Sequence, residues 1–563
     1  MDHELAQSSS IDFNSVYSFP HSTSIHSFST TPSCTNLFTG GADGFIRRYS
    51  LYSTLNPSSA SSSGNLTMKQ PSTTTTTTTS TTDSEFNNRV PFLTGYWENE
   101  ESPELVTGVG GVGEQGVESS STIKWGTKIS STGSQQSSVY SLAIHSQELW
   151  GLSGTSKGSI NLFTIRHDQG QIRHVFKPDP TSTSTTSPQG HFPTSPISVL
   201  TLNSFNNESS FLSGGWDGRI FDWDLNTGAI KQSYLNHGSK RQISSISYRP
   251  AVPVGGGGGG GAAGNSTTVK DGEGDTEMKV DTAADKDIDE DADGEVDADA
   301  DGEDDDTLLP PPQADSNLSI EKDPASDIPL LDDQKGILEG EGGGEGDCFM
   351  STSLDGLVLI WDQRIHSDGV CKLPDFGKEL DRLGLSSGES NETGSKGKLG
   401  KGKGRDKWST SACWSSNGQE IYVARHSSLF SCYDLRNFST PISTYALPRS
   451  TGPITAIKSL STSGSSSNGS GRRILTGSWD CVRVWDLDKV KPFERGDKRK
   501  FYSNNSEEGG GGGVRVISGG HYGGTLSAIH VDPLEKWMFT TSGTRGWDGN
   551  STENLIVHEI VKN

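Results

Sequence analysis

The feature that most constrains the fold is a hairpin-like segment that recurs seven times along the chain. Each copy has a short apolar run containing Ser, Thr or Gly, then a tight turn, then a second run. Clear copies are "LSGGWDGRIFDWDL" at 212–225 and "MSTSLDGLVLIWDQ" at 350–363. Asp-Gly between two alternating runs is a strong signal for a β-hairpin. The repeats therefore predict seven hairpins in an all-β protein.

Additional short strands surround these hairpins and give four strands per unit. One apolar strand precedes each hairpin, and a short strand such as "IKQSYL" follows several of them. A β-propeller stacks such sheets radially and protects their edges. The seventh unit lacks an outer strand, whereas a spare strand at 15–20 precedes the first unit. We therefore expect one seven-bladed propeller over 15–563, closed by this N-terminal strand. The segment at 90–101 is interpreted as the outer strand of blade one, with a docking peptide as the alternative.

The third strands end in a pattern that resembles WD40 repeats. Trp-Asp pairs stand at 223–224, 361–362 and 485–486, and other units end in Tyr, Phe or, in the seventh, His558. In WD40 proteins a His, a Ser or Thr, a turn Asp and the Trp hydrogen-bond in a row and brace the blade. The resemblance implies this structural role for His21, Thr39, Asp43, Tyr49, His191, Ser213, Asp217, Trp223, His237, Asp355, Trp361, Asp480, Trp485 and His521.

Long insertions separate the predicted strands, because WD40 units usually need only about 40–45 residues. Runs of Thr, Gly, Ser and charged residues are typical of flexible linkers. We expect disordered insertions at about 52–90, 102–135, 178–189, 251–347, 375–407, 461–471 and 488–513. Strand order puts the acidic 251–347 on the face opposite the hairpin turns. It puts the basic 375–407 on the hairpin-turn face.

Net charge is concentrated in one of these insertions. Residues 270–347 contain 29 acidic residues and five lysines, a net charge of −24 that equals that of the whole chain. Such a density attracts basic surfaces and makes association depend on salt. A solubilising spacer is the alternative. The candidate partner contacts in its densest part are Asp297, Asp299, Asp301, Asp304, Asp305 and Asp306.

No motif in the sequence predicts a metal, a cofactor or an enzyme. "DADADGEDDD" at 297–306 begins like a calcium loop, but its twelfth position is Leu308 where a bidentate Glu is needed. The six cysteines are scattered without a Cys-x-x-Cys pair. Gly402 follows Gly400-Lys401 where a phosphate loop needs Ser or Thr. His, Ser and Asp recur by blade instead of converging on one site, which argues against hydrolase chemistry.

Three tryptophans in hairpin turns are candidate protein contacts. Trp216 and Trp479 stand beside turn aspartates, and Trp547 lies in the seventh turn. Exposed Trp is a good anchor for a protein partner, and packing against a neighbouring loop is the alternative. Neither a signal peptide nor a membrane-spanning run is recognisable.

Several segments specific to individual units point to a particular family. "PFLTGYWENEE", "SVYSLAIHSQELWGLSGTSKGSINLFTIRHDQG" and "LSGGWDGRIFDWDLNTG" resemble the Spt-eight-type WD40 subunits of the fungal SAGA transcription coactivator. This resemblance implies a nuclear, non-enzymatic scaffold that contacts the TATA-binding protein and other SAGA subunits and helps regulate delivery of that protein to promoters. Sequence-specific nucleic-acid binding is not expected. A histone- or chromatin-binding WD40 adaptor outside SAGA is the alternative.

Overall fold

The structure is a computed structural model. It describes residues 11–55, 91–101, 135–177, 190–192, 194–235, 242–251, 347–364, 370–385, 405–461, 472–479, 481–497, 513–517, 521, 523–547 and 549–562. The acidic insertion with its six candidate aspartates lies outside these residues, as do His237 and Asp480.

Seven four-stranded antiparallel sheets form the blades of the described structure. Blade one contains β2 (Ile25–Thr30), β3 (Asn36–Gly41), β4 (Phe45–Ser50) and β5 (Leu93–Glu98). The short β6 (Glu100–Glu101) and β7 (Gln135–Gln136) pair with each other before blade two. Blade two contains β8 (Ser141–Ile144), β9 (Trp150–Gly154), β10 (Ile160–Thr164) and β11 (Ile172–Phe176). Blade three contains β12 (Ile197–Leu202), β13 (Ser210–Gly215), β14 (Arg219–Asp224) and β15 (Ile230–Leu235).

The remaining blades follow the same plan. Blade four contains β16 (Ile243–Tyr248), β17 (Cys348–Ser353), β18 (Val358–Asp362) and β19 (Val370–Lys372). Blade five contains β20 (Ser409–Trp414), β21 (Glu420–Arg425), β22 (Leu429–Asp434) and β23 (Ser443–Ala446). Blade six contains β24 (Ala456–Leu460), β25 (Arg473–Gly477), β26 (Val482–Asp486) and β27 (Val514–Ile517). Blade seven contains β28 (Leu526–Val531), β29 (Trp537–Ser542), β30 (Asn554–Lys562) and β1 (Ile11–Pro20).

The predicted ring closure is confirmed by the pairing of β1 with β30. The two strands run antiparallel from Ile11 opposite Lys562 to Pro20 opposite Asn554, with a bulge between Ser15 and Tyr17. The closing strand starts at Ile11, earlier than the predicted residue 15. The predicted outer strand of blade one is also confirmed, because β5 pairs with β4.

Hydroxyl side chains on the innermost strands join neighbouring blades. Each of five buried hydroxyls donates a hydrogen bond to a backbone carbonyl of the next blade or of the residues that enter it. The pairs are Ser27 to Val139, Ser141 to Ile197, Ser198 to Ile243, Ser244 to Ser409 and Thr410 to Ile454. A hydrogen bond of this kind contributes about 1 kcal/mol net. The ring of blades is therefore stabilised by polar contacts near its axis as well as by apolar packing between sheets.

Part of the predicted disordered insertion at 375–407 is ordered, so that expectation was wrong for 376–385 and 405–407. Helix α2 (Phe376–Arg382) begins at Asp375, whose carboxylate accepts a hydrogen bond from the amide of Gly377 at 2.9 Å. Its apolar face packs in one buried cluster with side chains of blade five and with Phe493, which follows β26 of blade six. The cluster comprises Phe376, Leu380, Leu383, Leu429, Ala446 and Phe493. A short helix α1 (Leu51–Leu55) likewise enters the predicted insertion at 52–90. None of the helices in the described segments has the length and apolar character of a membrane span.

Candidate functional site

Blade three contains the complete bracing network that the resemblance implies. The indole N–H of Trp223 donates to Oγ of Ser213 at 2.8 Å, and that hydroxyl lies 2.8 Å from Nε2 of His191. Nδ1 of His191 lies 3.1 Å from both carboxylate oxygens of Asp217. Burial opposes ionisation of Asp217, but His191 and two backbone amides lower its pKa below the ordinary value. The network runs from the middle of the blade to its turn, which agrees with the predicted bracing role.

Blade one contains a related chain of contacts that differs at the aromatic residue and at the aspartate. Nδ1 of His21 donates to the carbonyl of Phe19 at 2.9 Å, so Nε2 accepts from the Thr39 hydroxyl at 2.8 Å. The Tyr49 hydroxyl lies 3.4 Å from the same Nε2. Asp43 instead forms a salt bridge with Arg47. Burial lowers the pKa of His21 to about 4, so the imidazole is neutral near pH 7.

Blade seven has a different network that includes the closing strand. Nε2 of His521 lies 3.0 Å from Oγ1 of Thr540, which lies 3.1 Å from Nε2 of His558. His558 stands where other blades have Trp, and its Nδ1 lies 3.0 Å from the Ser15 hydroxyl on β1. Burial lowers the pKa of His521 to about 4 and that of His558 to about 3. The network therefore joins β1 to the interior of the last blade.

In blades four and six, the tryptophan contacts of the predicted sets are present. Trp361 donates to Ser351 at 2.8 Å, and Trp485 donates to Thr476 at 2.8 Å. Asp355 accepts from the amide of Leu357 at 3.0 Å and from the Ser353 hydroxyl. These contacts agree with a bracing role.

Blade five contains a buried arginine that the sequence analysis missed. Arg425 is fully buried at the end of β21, where blade three has Gly215. Its guanidinium donates to the carbonyl of Gly356 at 2.7 Å and lies 4.4 Å from the ring centroid of Phe376 in α2. It thereby joins blades four and five to the helix. The other repeats have a small residue at this position, so the arginine in the fifth repeat was the sequence signal that could have revealed this contact.

The candidate tryptophans lie on the hairpin face, which is the face formed by the turns between second and third strands. Trp216 and Trp547 are half-buried. With the Gln242 amide oriented to satisfy its hydrogen bonds, Oε1 of Gln242 accepts from the indole of Trp216 at 2.8 Å and from that of Trp547 at 3.1 Å. Trp479 packs over Gly452, where an added Cβ would come within 2.5 Å of the indole. All three therefore pack against neighbouring loops, and partner contact by their remaining exposed surface stays a prediction.

The described residues contain no candidate metal site. Among them, no group of three or more His, Cys, Asp or Glu side chains is placed to hold a metal ion. Cys34, Cys413 and Cys432 are buried. The features that the geometry does supply are a braced ring, a wide hairpin face and the two ends of the acidic insertion, at Ala251 and Asp347.

Comparisons with known proteins agree with this architecture. The family model described as the SPT8 beta propeller matches residues 12–381 and 385–561. The SAGA complex subunit Spt8 of Schizosaccharomyces pombe is 26% identical over 547 residues, covering 96% of this chain and 78% of the relative. The SAGA complex subunit SPT8 of Saccharomyces cerevisiae is 26% identical over 548 residues, covering 96% of this chain and 71% of the relative. The chain belongs to the SPT8 beta-propeller family.

Proposed function

We propose that this chain is a non-enzymatic scaffold subunit of a SAGA-like coactivator in the nucleus. In this role it binds the TATA-binding protein and helps regulate its delivery to promoters. The observation that carries the proposal is the family match across nearly the whole chain, together with two relatives named as SAGA complex subunits. The braced propeller supports a scaffold role, because polar networks within the blades and hydroxyl contacts between them hold the ring together.

The proposed mechanism combines electrostatic steering with docking. The acidic insertion leaves blade four after β16 and returns at β17, so it is tethered on the face opposite the hairpin turns. A net charge of −24 over residues 270–347 raises the rate of encounter with a basic protein surface. The propeller then supplies specificity, with Trp216 and Trp479 on the hairpin face as candidate contacts.

The test measures association with purified TATA-binding protein at several salt concentrations. Deleting residues 265–345 should slow association about tenfold or more at low salt and flatten its salt dependence. Deleting 56–80, a Ser/Thr-rich segment with one lysine and no acidic residue, is the matched control and should leave the rates unchanged. Unaltered salt dependence after the acidic deletion would contradict steering, and no binding by the intact chain would contradict the proposed partner.

A histone partner is the second candidate, because the same acidic segment fits any basic surface. The two candidates separate in a competition assay. If the TATA-binding protein is the partner, it displaces labelled histones from the chain at much lower concentration than histones displace it. The reverse order would favour the chromatin adaptor.

A further inference from the structure

The central channel of the propeller contains a cavity of about 260 Å³. Its walls come from the first residues of the inner strands, and the connection between β29 and β30 contributes one side chain, Arg545. Aliphatic and aromatic residues such as Phe28, Leu200 and Ile246 line it together with serine and threonine residues. None of the described residues that line this cavity carries a carboxylate.

Arg545 is the cation of this cavity, and none of the acidic residues that the structure describes forms an ion pair with it. One guanidinium nitrogen donates to the carbonyl of Ser244 at 2.7 Å, and the group lies 4.6 Å from the ring centroid of Trp547. A guanidinium has five N–H donors, so most of them remain available after this single bond. Burial lowers the pKa of Arg545 to about 10, which leaves the side chain charged at neutral pH. Arg545 is half-buried, and a charge withdrawn from water is normally paired because its desolvation is costly.

The backbone holds Arg545 in an uncommon conformation. Its φ is 51°, in the left-handed region that non-glycine residues seldom occupy, and Gly546 follows with φ 77°. Trp216 packs over Gly546, where an added Cβ would lie 2.9 Å from the indole. Conformations of this kind are unfavourable and persist where surrounding structure imposes them, often at ligand sites. The turn therefore directs the Arg545 cation towards the channel, and the packed Trp216 holds the turn in place.

A second unsatisfied polar group lies in the same cavity. His26 is 7% exposed, and its Nδ1 is buried without a hydrogen-bond partner. The imidazole stacks on Tyr140 with centroids 5.1 Å apart, and Tyr140 contacts Trp216 edge-on at 5.5 Å. Burial and the charge of Arg545 lower the pKa of His26 to about 4, so it is neutral near pH 7. A neutral imidazole can donate one hydrogen bond in the tautomer that protonates Nδ1.

We propose that the channel mouth on the hairpin face binds a carboxylate side chain from an acidic segment of a partner protein. Arg545 is its cation, His26 its second polar contact, and the aromatic rings of Trp216, Trp547 and Tyr140 form its walls. The inference goes beyond the proposed contact with the TATA-binding protein. The two share Trp216 on the hairpin face, but this site depends on Arg545 and His26 and not on the acidic insertion.

Charge and size favour a carboxylate over a phosphate. The site has one formal positive charge, which matches the single charge of an Asp or Glu side chain. A phosphate group carries nearly two charges at neutral pH, and phosphate sites usually contain several basic groups. Guanidinium and carboxylate also match in a planar, bidentate geometry. A protein side chain is the expected form of this ligand, because aromatic walls bury the apolar part of an acidic peptide.

The test is fluorescence anisotropy with the full chain and two labelled peptides. One short peptide has adjacent Glu residues flanked by Leu, and its counterpart has Gln in their place. The Glu peptide should bind about tenfold more tightly than the Gln peptide, since a hydrogen bond to a charged group contributes about that factor. Arg545→Gln should remove the difference between the two peptides. Arg405→Gln is the matched control, because Arg405 also stacks on a tryptophan, Trp408, but does not line the channel.

A measurement on the wild-type chain makes the test independent of variant folding. A benzophenone placed beside the Glu pair should cross-link on irradiation to residues at the channel mouth, near 26, 140, 216 or 545–547. Equal binding of both peptides, equal weakening by Arg545→Gln and Arg405→Gln, or cross-links elsewhere would overturn the proposal. Binding seen only after deletion of 265–345 would overturn the assignment to a partner and identify the chain's own acidic segment as the occupant.

Discussion

Replacing Phe19 by Ala tests whether the closing strand stabilises the ring. Phe19 is fully buried on β1 and belongs to a cluster that contains residues from both sides of the closure. On the blade-one side it meets Tyr49 edge-on, with ring centroids 5.3 Å apart. On the blade-seven side the same cluster contains Phe539 and Leu555. Losing the ring should therefore weaken the contact between the first and last blades.

The expected cost of Phe19→Ala is about 4 kcal/mol of unfolding free energy. Burial of a Phe side chain and the cavity left on its removal account for about 3–5 kcal/mol at fully buried sites. The aromatic pair with Tyr49 contributes within that range. The assay is urea unfolding followed by tryptophan fluorescence and circular dichroism. The midpoints of the two chains are compared when the dependence of unfolding free energy on urea concentration has the same slope in both.

The matched control for Phe19→Ala is Phe205→Ala. Phe205 is 36% exposed in the turn between β12 and β13, so its loss should cost about 1 kcal/mol or less. A Phe19→Ala cost as small as that of the control would refute the idea that β1 holds the ring closed. A change in slope without a change in midpoint would refute the assumption of one cooperative unit.

Two further changes test the bracing networks. Trp223→Phe removes the indole N–H that donates to Ser213, so the unfolding free energy should fall by about 1–3 kcal/mol in a urea titration, and an unchanged midpoint would contradict a bracing role. Lowering the pH from 7 to 5 should also destabilise the fold, since His521 and His558 stay neutral in the folded chain while the unfolded chain takes up protons below its pKa of about 6.5. The unfolding free energy should fall by about 2 kcal/mol per histidine at pH 5, and His558→Gln should make this fall smaller. An unfolding midpoint that does not change with pH would show that these histidines are not held neutral in the folded chain.

The blades could be predicted from sequence because their determinants are local. Alternating apolar residues on both sides of a tight turn specify the hairpins. The turn is Asp-Gly in blades one, three and four, and in blade three Gly218 takes φ 75° after Asp217. The blade-three bracing set could be read from the repeat for the same reason. Closure by β1 could be predicted because the seventh unit lacked an outer strand and the N-terminal strand belonged to no unit.

Helix α2 was missed although its signal is present in the sequence. Asp375 stands at a capping position, and Phe376, Leu380 and Leu383 follow at intervals of four and three residues, which suits one helical face. The Gly- and Lys-rich residues that follow it dominated the composition of the whole insertion. Composition averaged over 33 residues concealed a helix of seven.

Contacts between blades could not be predicted, because their partners are distant in sequence. The Ser244 hydroxyl donates to the carbonyl of Ser409, 165 positions away. Arg545 contacts Ser244 across 301 positions, and only the closed ring brings it to the channel. Repeat alignment identifies such positions, but it does not reveal what a side chain faces in the assembled ring.

The most direct test of the account is purification of the tagged chain from its own cells, followed by mass spectrometry of the proteins retained. A scaffold subunit of a SAGA-like coactivator should co-purify with other subunits of that complex in near-equal amounts. The TATA-binding protein should be recovered with them and lost when residues 265–345 are deleted. Recovery of histones alone, with no coactivator subunit, would contradict the central claim.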